Sequence, residues 1–277
     1  MFDQVMLGFI GGGNMGGALI KGLTAAGLPR PDQILVHDVD RDRLRDLESS
    51  YGVKAVDSLT DLVATATIVV LAVKPQVMNR VLTELKGRLP HRPLIISIAA
   101  GVAIDTIARG LGEDLPIVRV MPNTPALVQE SASALARNAA VSDHQMEQAL
   151  KLFEAVGVAV AVEEKLMDAV TGLSGSGPAY VLQFVESLID GGVLMGLPRP
   201  IARKLVVQTV FGTARMILET GRHPAELKDM ITSPGGTTIS GLQVLEAAGL
   251  RGAIMDAVEA ATLRSRELGR PQPDAPA

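Results

Sequence analysis

Short apolar runs recur through the first half of the chain, each followed by a polar loop and an amphipathic stretch. Val5-Met6-Leu7-Gly8-Phe9-Ile10 is the first run, and Met15 to Ala26 behind it has a helical pattern. Ile34-Leu35-Val36 predicts a second strand. A helix then starts at Asp40 or Asp42, with Leu44 and Leu47 facing inward. Thr67 to Ala72, Leu94 to Ile98, Ile117 to Met121 and Val158 to Val162 read as further strands. Pro75 suits the first turn of a helix, where its missing N–H is not needed. Unbroken Val, Ile and Leu runs between amphipathic helices predict a largely parallel sheet covered on both faces, the α/β class.

Past residue 163 the strand pattern stops. Glu164 to Thr171, Pro178 to Met195, Pro200 to Glu219, Ala225 to Ile231, Thr238 to Ala248 and Arg251 to Leu268 have helical periodicity. Two glycine-rich stretches interrupt them, Leu173 to Tyr180 and Ser233-Pro234-Gly235-Gly236-Thr237-Thr238. The pattern therefore predicts a dinucleotide-binding α/β domain over 1–162 and an all-α domain over 163–269. A Pro-rich tail, 270–277, is expected to be disordered.

Composition narrows the function classes. Hydrophobic residues are 47% and charged residues 20% of the 277, a core-forming composition. The net charge is −4 with no basic stripe, which argues against nucleic acid and anionic membrane as partners. There is no Cys, hence no disulfide framework and no thiolate metal site. The first residues lack a signal-peptide pattern, and Leu94 to Ile104 is too short to span a bilayer. The expectation is a cytoplasmic chain without a metal.

The chemistry begins at Ile10-Gly11-Gly12-Gly13-Asn14-Met15-Gly16, which follows a strand and opens a helix. Gly11, Gly13 and Gly16 fit G-x-G-x-x-G: a tight turn, an approach to a pyrophosphate, and close helix–strand packing. After the second strand, Asp38 is placed to accept hydrogen bonds from a ribose 2′-OH and to repel a 2′-phosphate. That leans towards NADH being usable, but Arg41 and Arg43 could offset the repulsion, and Asp38 or Asp40 could equally be a helix cap. His37 reads as a bystander. Ligands of open α/β sheets sit beyond the carboxyl ends of the strands. Those ends carry Ala72-Val73-Lys74-Pro75, Ala99-Ala100-Gly101 and Asn123-Thr124-Pro125, small or polar loops that suit a nicotinamide ribose. None of the four histidines has a visible acid partner. Orientation and charge stabilisation fit such a chain better than a strong base, and hydride transfer to an activated double bond is chemistry of that kind.

The two interruptions of the helical half read as capped turns. Pro178 fits a first turn, and Thr237 or Thr238 fits the N-cap of a helix with Leu242 and Leu245 on one face. Helix N-termini are also anion sites, and a substrate carboxylate would fit there.

From Pro224 through Ser233-Pro234-Gly235-Gly236-Thr237-Thr238 to Glu246, the chain resembles the pyrroline-5-carboxylate reductases. The resemblance extends to Ala72 to Gln76, Ala99 to Val102, Met121 to Pro125, Asp168 to Tyr180 and Asp190-Gly191-Gly192. It implies a Rossmann-type doubly wound domain, then a helical dimerisation domain, with dimers that assemble further into decamers. It implies that NADPH or NADH gives a hydride to the C=N carbon of 1-pyrroline-5-carboxylate, making L-proline. The substrate would lie at the dimer interface. Ser233 and the amides around Gly236, Thr237 and Thr238 would hold its carboxylate, and the Thr238 hydroxyl would reach the ring nitrogen as the catalytic group. Glu164 would border the substrate; by its position alone it is also an acid complementing a helix dipole. The cofactor would take Ile10, Gly11, Gly12, Gly13, Asn14, Met15, Asp38, Ala72, Val73, Lys74, Pro75, Ala99, Ala100 and Asn123. β-Hydroxyacid dehydrogenases share the layout but need a Lys in the first helix of the second domain, where Pro178 to Glu186 has none. A nucleotide-sensing protein would have no use for Ser233 to Thr238.

Overall fold

A computed structural model describes residues 2–112 and 114–269; the expected disordered tail, 270–277, lies outside the described residues. β1 (Leu7–Ile10) is buried along its length and runs through the glycines into α1 (Asn14–Ala26). Then come β2 (Ile34–His37), α2 (Arg41–Tyr51), β3 (Lys54–Ala55), α3 (Leu59–Thr65) and β4 (Ile68–Leu71). They are followed by α4 (Pro75–Leu85), β5 (Leu94–Ser97), α5 (Ile104–Leu111), β6 (Ile117–Met121), β7 (Ser131–Arg137), α6 (Asp143–Glu154) and β8 (Gly157–Ala161). Asp40 caps α2 by accepting the Asp42 and Arg43 N–H groups, and Leu44 and Leu47 are buried, as their spacing predicts.

Among the described residues the eight strands form one sheet, ordered β3-β2-β1-β4-β5-β6-β7-β8. Neighbours are parallel except β6 and β7. β1 is central, paired with β2 on one side and β4 on the other, with Ile10 level with His37 and Leu71. The strand order reverses there, so the carboxyl ends of these three strands open one crevice. Each face of the sheet carries its own core. Phe9, Leu23, Ile96 and Phe153 lie on one face, and Leu62, Val69, Leu82 and Ile107 on the other. Burying each such side chain contributes about 1.5–3 kcal/mol before entropy is set against it.

Glu164–Leu166 is a short 3-10 turn leading into α7 (Met167–Val170). The first expected interruption, Leu173 to Tyr180, is not a break. Thr171–Gly175 continues as a π-helix, with the Ser176 N–H bonded to the Thr171 carbonyl, and α8 (Gly177–Leu194) follows directly. Gly175 lies against the Met121 side chain, whose terminal methyl would have to shift to admit a Cβ. α9 (Arg199–Thr220), α10 (Pro224–Met230), α11 (Thr237–Ala247) and α12 (Leu250–Leu268) complete the chain.

The chain forms two compact units. One reaches Ser176 and takes in the chain again from Ala260, and the other is Gly177–Glu259. The division falls later than the 162/163 expected from the pattern. Met167, fully buried against Ala134 and Ala136 of β7, ties the first helical turns to the sheet. Within 177–259 the buried apolar residues are Ala202 and Leu227 alone, among the described residues, while Leu182, Leu205 and Phe211 are exposed.

Candidate functional site

β1 delivers the chain to Gly11, whose φ of +102° is a left-handed conformation that side chains disfavour. A Cβ there would also sit 2.6 Å from the Ala72 carbonyl oxygen, so the turn packs against the end of β4. A Cβ on Gly16 would be 2.5 Å from the Gly11 carbonyl oxygen, which locks α1 onto the turn. Gly13 differs, because a Cβ there would meet nothing within 4 Å. It is the N-cap of α1, has no side chain to offer, and no acid stands in the first turn. The Asn14 and Met15 N–H groups have no acceptor among the described residues. Unmet donors, a positive helix end and open space over Gly13 fit a pyrophosphate.

Asp38 is committed to this turn. Oδ2 accepts the Gly12 N–H at 2.7 Å and Oδ1 the Asp40 N–H at 2.9 Å. Arg43 Nη1 is 3.1 Å from both oxygens, and the Asp38 side chain is 7% exposed. Burial pushes its carboxyl pKa up, yet the two backbone donors and Arg43 together outweigh this and hold it below the ordinary 3.8. The carboxylate therefore stabilises the fold fully above pH 3.8, and that contribution is lost as pH falls through the lower folded value. In thermal melts run against pH, the gap between wild type and Asp38→Asn is expected to be widest near neutrality and to close below about pH 4. A constant gap at all pH would refute the linkage. Arg41 pairs with Asp57, and the His37 ring is bonded to the Val56 carbonyl.

Lys74 and Pro75 open α4 at the end of β4, and Gly101 turns with φ +75° after β5. A cavity of about 840 Å³ lies here, lined by Pro75, Gln76, Ala100, Arg109, Thr171 and Ser176 among others. Of the expected cofactor residues it takes Pro75 and Ala100. The Asn123 side chain is spent within the protein: Oδ1 accepts the Ala132 N–H at 2.9 Å and Nδ2 donates to the Ser174 carbonyl at 3.0 Å. Glu164 Oε1 accepts the Ile104 N–H at 2.7 Å and lies 3.4 Å from Arg119 Nη1. Arg119 is the residue the sequence reading passed over. The available signal was a cation in the middle of an otherwise apolar strand.

In the helical unit the second interruption is a true turn. Gly235 has φ +67°, and the Gly236 N–H donates to the Ser233 carbonyl at 3.1 Å. The N-cap of α11 is Gly236, not Thr237 or Thr238, which are the first two helical residues. A Cβ on Gly236 would press on the Ser233 hydroxyl, which would have to turn aside for a capping side chain. The Gly236 N–H is thus already used. The Thr237 and Thr238 N–H groups and hydroxyls have no partner among the described residues. Thr237 is exposed and Thr238 partly buried. Among the described residues no three His, Cys, Asp or Glu side chains cluster as metal ligands, and no helix is long and apolar enough to cross a membrane.

Two family models match. Residues 164–268 fit "pyrroline-5-carboxylate reductase dimerisation" and residues 6–101 fit "NADP oxidoreductase coenzyme F420-dependent". The chain is 48% identical to a pyrroline-5-carboxylate reductase of Methanosarcina acetivorans over 97% of this chain and 99% of that one. It is 43% identical to that of Escherichia coli over 95% and 98%. Among solved structures, a pyrroline-5-carboxylate reductase of Coxiella burnetii matches with a TM-score of 0.93 at 38% identity, covering 97% of this chain and all of that one. A Plasmodium falciparum pyrroline carboxylate reductase with NADP bound matches with 0.87 at 35%, covering 98% and 100%.

Proposed function

The chain belongs to the pyrroline-5-carboxylate reductase family, and we propose that Thr238 and the first turn of α11 hold the imine substrate and that the glycine turn holds the pyrophosphate of the hydride donor. The reaction is reduction of 1-pyrroline-5-carboxylate to L-proline, the closing step of proline biosynthesis, with NADPH or NADH as donor. The bound cofactor supplies the hydride, which goes to the carbon of the C=N bond while the nitrogen keeps its proton. The chain's own residues bind, orient and exclude water.

The observation that carries this reading is the pair of unmet helix N-termini. The donors of Asn14 and Met15 suit a pyrophosphate, and those of Thr237 and Thr238 suit a carboxylate. Gly11, Gly12 and Gly13 let the cofactor backbone approach, and Ile10, Ala72, Val73 and Lys74 flank it. Pro75, Ala99 and Ala100 face the nicotinamide end. Asp38 holds the turn through Gly12 and would face the ribose, with Arg43 beside it to temper repulsion of a 2′-phosphate. Asn123 contributes by fixing the π-helix through Ser174.

At the substrate, Ser233 shapes the turn and spends the Gly236 N–H, so Thr237 and Thr238 hold the carboxylate. The Thr238 hydroxyl accepts from the protonated ring nitrogen. An iminium is a better hydride acceptor than a neutral imine, and the bound carboxylate offsets its charge. Neither role needs a histidine.

The helical unit, with Ala202 and Leu227 as its only buried apolar residues among those described, gains a core by pairing with a second copy. The substrate lies at that interface, and decamers are the expected higher assembly. Absorbance at 340 nm is expected to fall when the protein meets pyrroline-5-carboxylate with NADPH or NADH, and the activity per chain is expected to fall on dilution below the dimer. Sedimentation at assay concentration distinguishes dimer from decamer. Folded protein that binds NADPH without turning over would overturn the catalytic reading.

A further inference from the structure

Arg119 stands mid-strand in β6 with its side chain 8% exposed. Its register neighbours are Ser97 on β5 and Ala136 on β7, both fully buried, and their small side chains leave room for the long stem. A guanidinium this deep needs an anion, since an unpaired buried charge is strongly destabilising. Among the described residues its ion-pair partner is Glu164. The same Oε1 also accepts the N–H of Ile104, the first residue of α5. Ala103 before it offers no side-chain cap. Glu164 therefore fills the place of an N-cap from 60 residues away in the chain. The contact to the backbone, 2.7 Å, is the shorter; that to Arg119 is 3.4 Å, so the helix end is held more tightly than the cation. Ile104 closes the loop that begins at Ala99 and Ala100.

We propose that Glu164 and Arg119 are positioning residues for the loop of residues 99–103, and that Glu164 acts on the cofactor through this loop and does not touch the imine. The assignment rests on the reductase reading. Arg119 holds the carboxylate in place, and the carboxylate holds the start of α5. The loop between β5 and α5 then has a fixed height over the sheet, which is what a nicotinamide ribose lying on Ala99 and Ala100 requires. Oε2 of Glu164 has no partner among the described residues, and its side chain is 34% exposed. Direct contact with substrate is therefore the role to test against.

The test uses the full-length enzyme with Glu164→Ala and Glu164→Gln, measuring Tm, kcat and the separate KM values for NADPH and pyrroline-5-carboxylate. Glu164→Ala removes the acceptor, and a displaced loop is expected to raise the NADPH KM about tenfold. The Gln amide oxygen can still accept the Ile104 N–H but leaves Arg119 without an anion, so Glu164→Gln is expected to lower Tm while its NADPH KM rises only about threefold, less than that of Glu164→Ala. The imine KM is expected to change little in both. Should Glu164→Ala fail to fold, Glu164→Asp takes its place, because it keeps the charge but draws the carboxylate back from Ile104. A raised imine KM with an unchanged NADPH KM would make Glu164 a substrate ligand and overturn the proposal. A lowered Tm with both KM values unchanged would reduce the pair to a stability role and overturn it too. An inactive wild type would count against the reductase reading, whereas these variant results count against this proposal alone.

Discussion

Replacing Thr238 with Ala is expected to lower turnover about 10²-fold in protein that folds as before, the usual scale for one positioned polar group. The loss corresponds to about 2.7 kcal/mol of transition-state stabilisation. Thr238 is the second residue of α11, and its hydroxyl has no partner among the described residues, so removing it breaks no contact within the protein. Ala is also a better helix former than Thr. The N–H of residue 238 survives the change, and with it the carboxylate contact. The hydroxyl orients the ring for hydride attack, so the effect should fall mainly on kcat, with a smaller rise in KM for the imine because the bound iminium already makes the contact. Thr238→Ser keeps the hydroxyl and is expected to recover most of the rate. Steady-state kinetics of the two variants, with melting curves beside them, decide the matter. Wild-type turnover and affinity in Thr238→Ala would remove the residue from the mechanism.

The cofactor half was legible because its signals are local. A run of four to six apolar residues buries a strand whatever its partners, and Gly11, Gly13 and Gly16 act within one turn. β7 was not legible. Its sequence, Ser-Ala-Ser-Ala-Leu-Ala-Arg, has small side chains in place of β-branched ones, and its burial comes from lying between β6 and β8. α6 was missed although Ser142 and Gln145 form a capping box that marks its start. Gly175 and Gly177 read as a break because glycine and proline punctuate chains, yet the helical backbone runs on through both. The Glu164 contacts join residues 45 and 60 positions apart, and no spacing rule reaches that far. The N-cap of α11 is Gly236 and not a threonine, because the Gly235 turn sets the helix start one residue earlier than the hydroxyl pattern suggests.

Gly13→Ala and Gly16→Ala are expected to separate cofactor binding from folding, although both alter the same motif. Gly13 has an ordinary extended conformation, φ −64° and ψ −169°, and open space where its Cβ would go. An alanine there costs the fold only the weaker N-cap, about 0.5–1 kcal/mol. The methyl group enters the space assigned to the pyrophosphate, and an intrusion of that kind costs about 1–3 kcal/mol. The Kd for NADPH is then expected to rise roughly 10- to 100-fold with little change in Tm. At Gly16 the obstacle is the protein itself, a backbone oxygen 2.5 Å from the new Cβ. The turn and α1 must part, so the main effect is expected in stability, again about 1–3 kcal/mol. Fluorescence titration of NADPH and thermal unfolding read the two effects apart. If Gly13→Ala bound NADPH as tightly as wild type, the space over α1 would not be where the pyrophosphate lies, and the N–H groups of Asn14 and Met15 would lose their assigned ligand. If Gly16→Ala left Tm unchanged, the close approach to Gly11 would not be what fixes the helix to the turn.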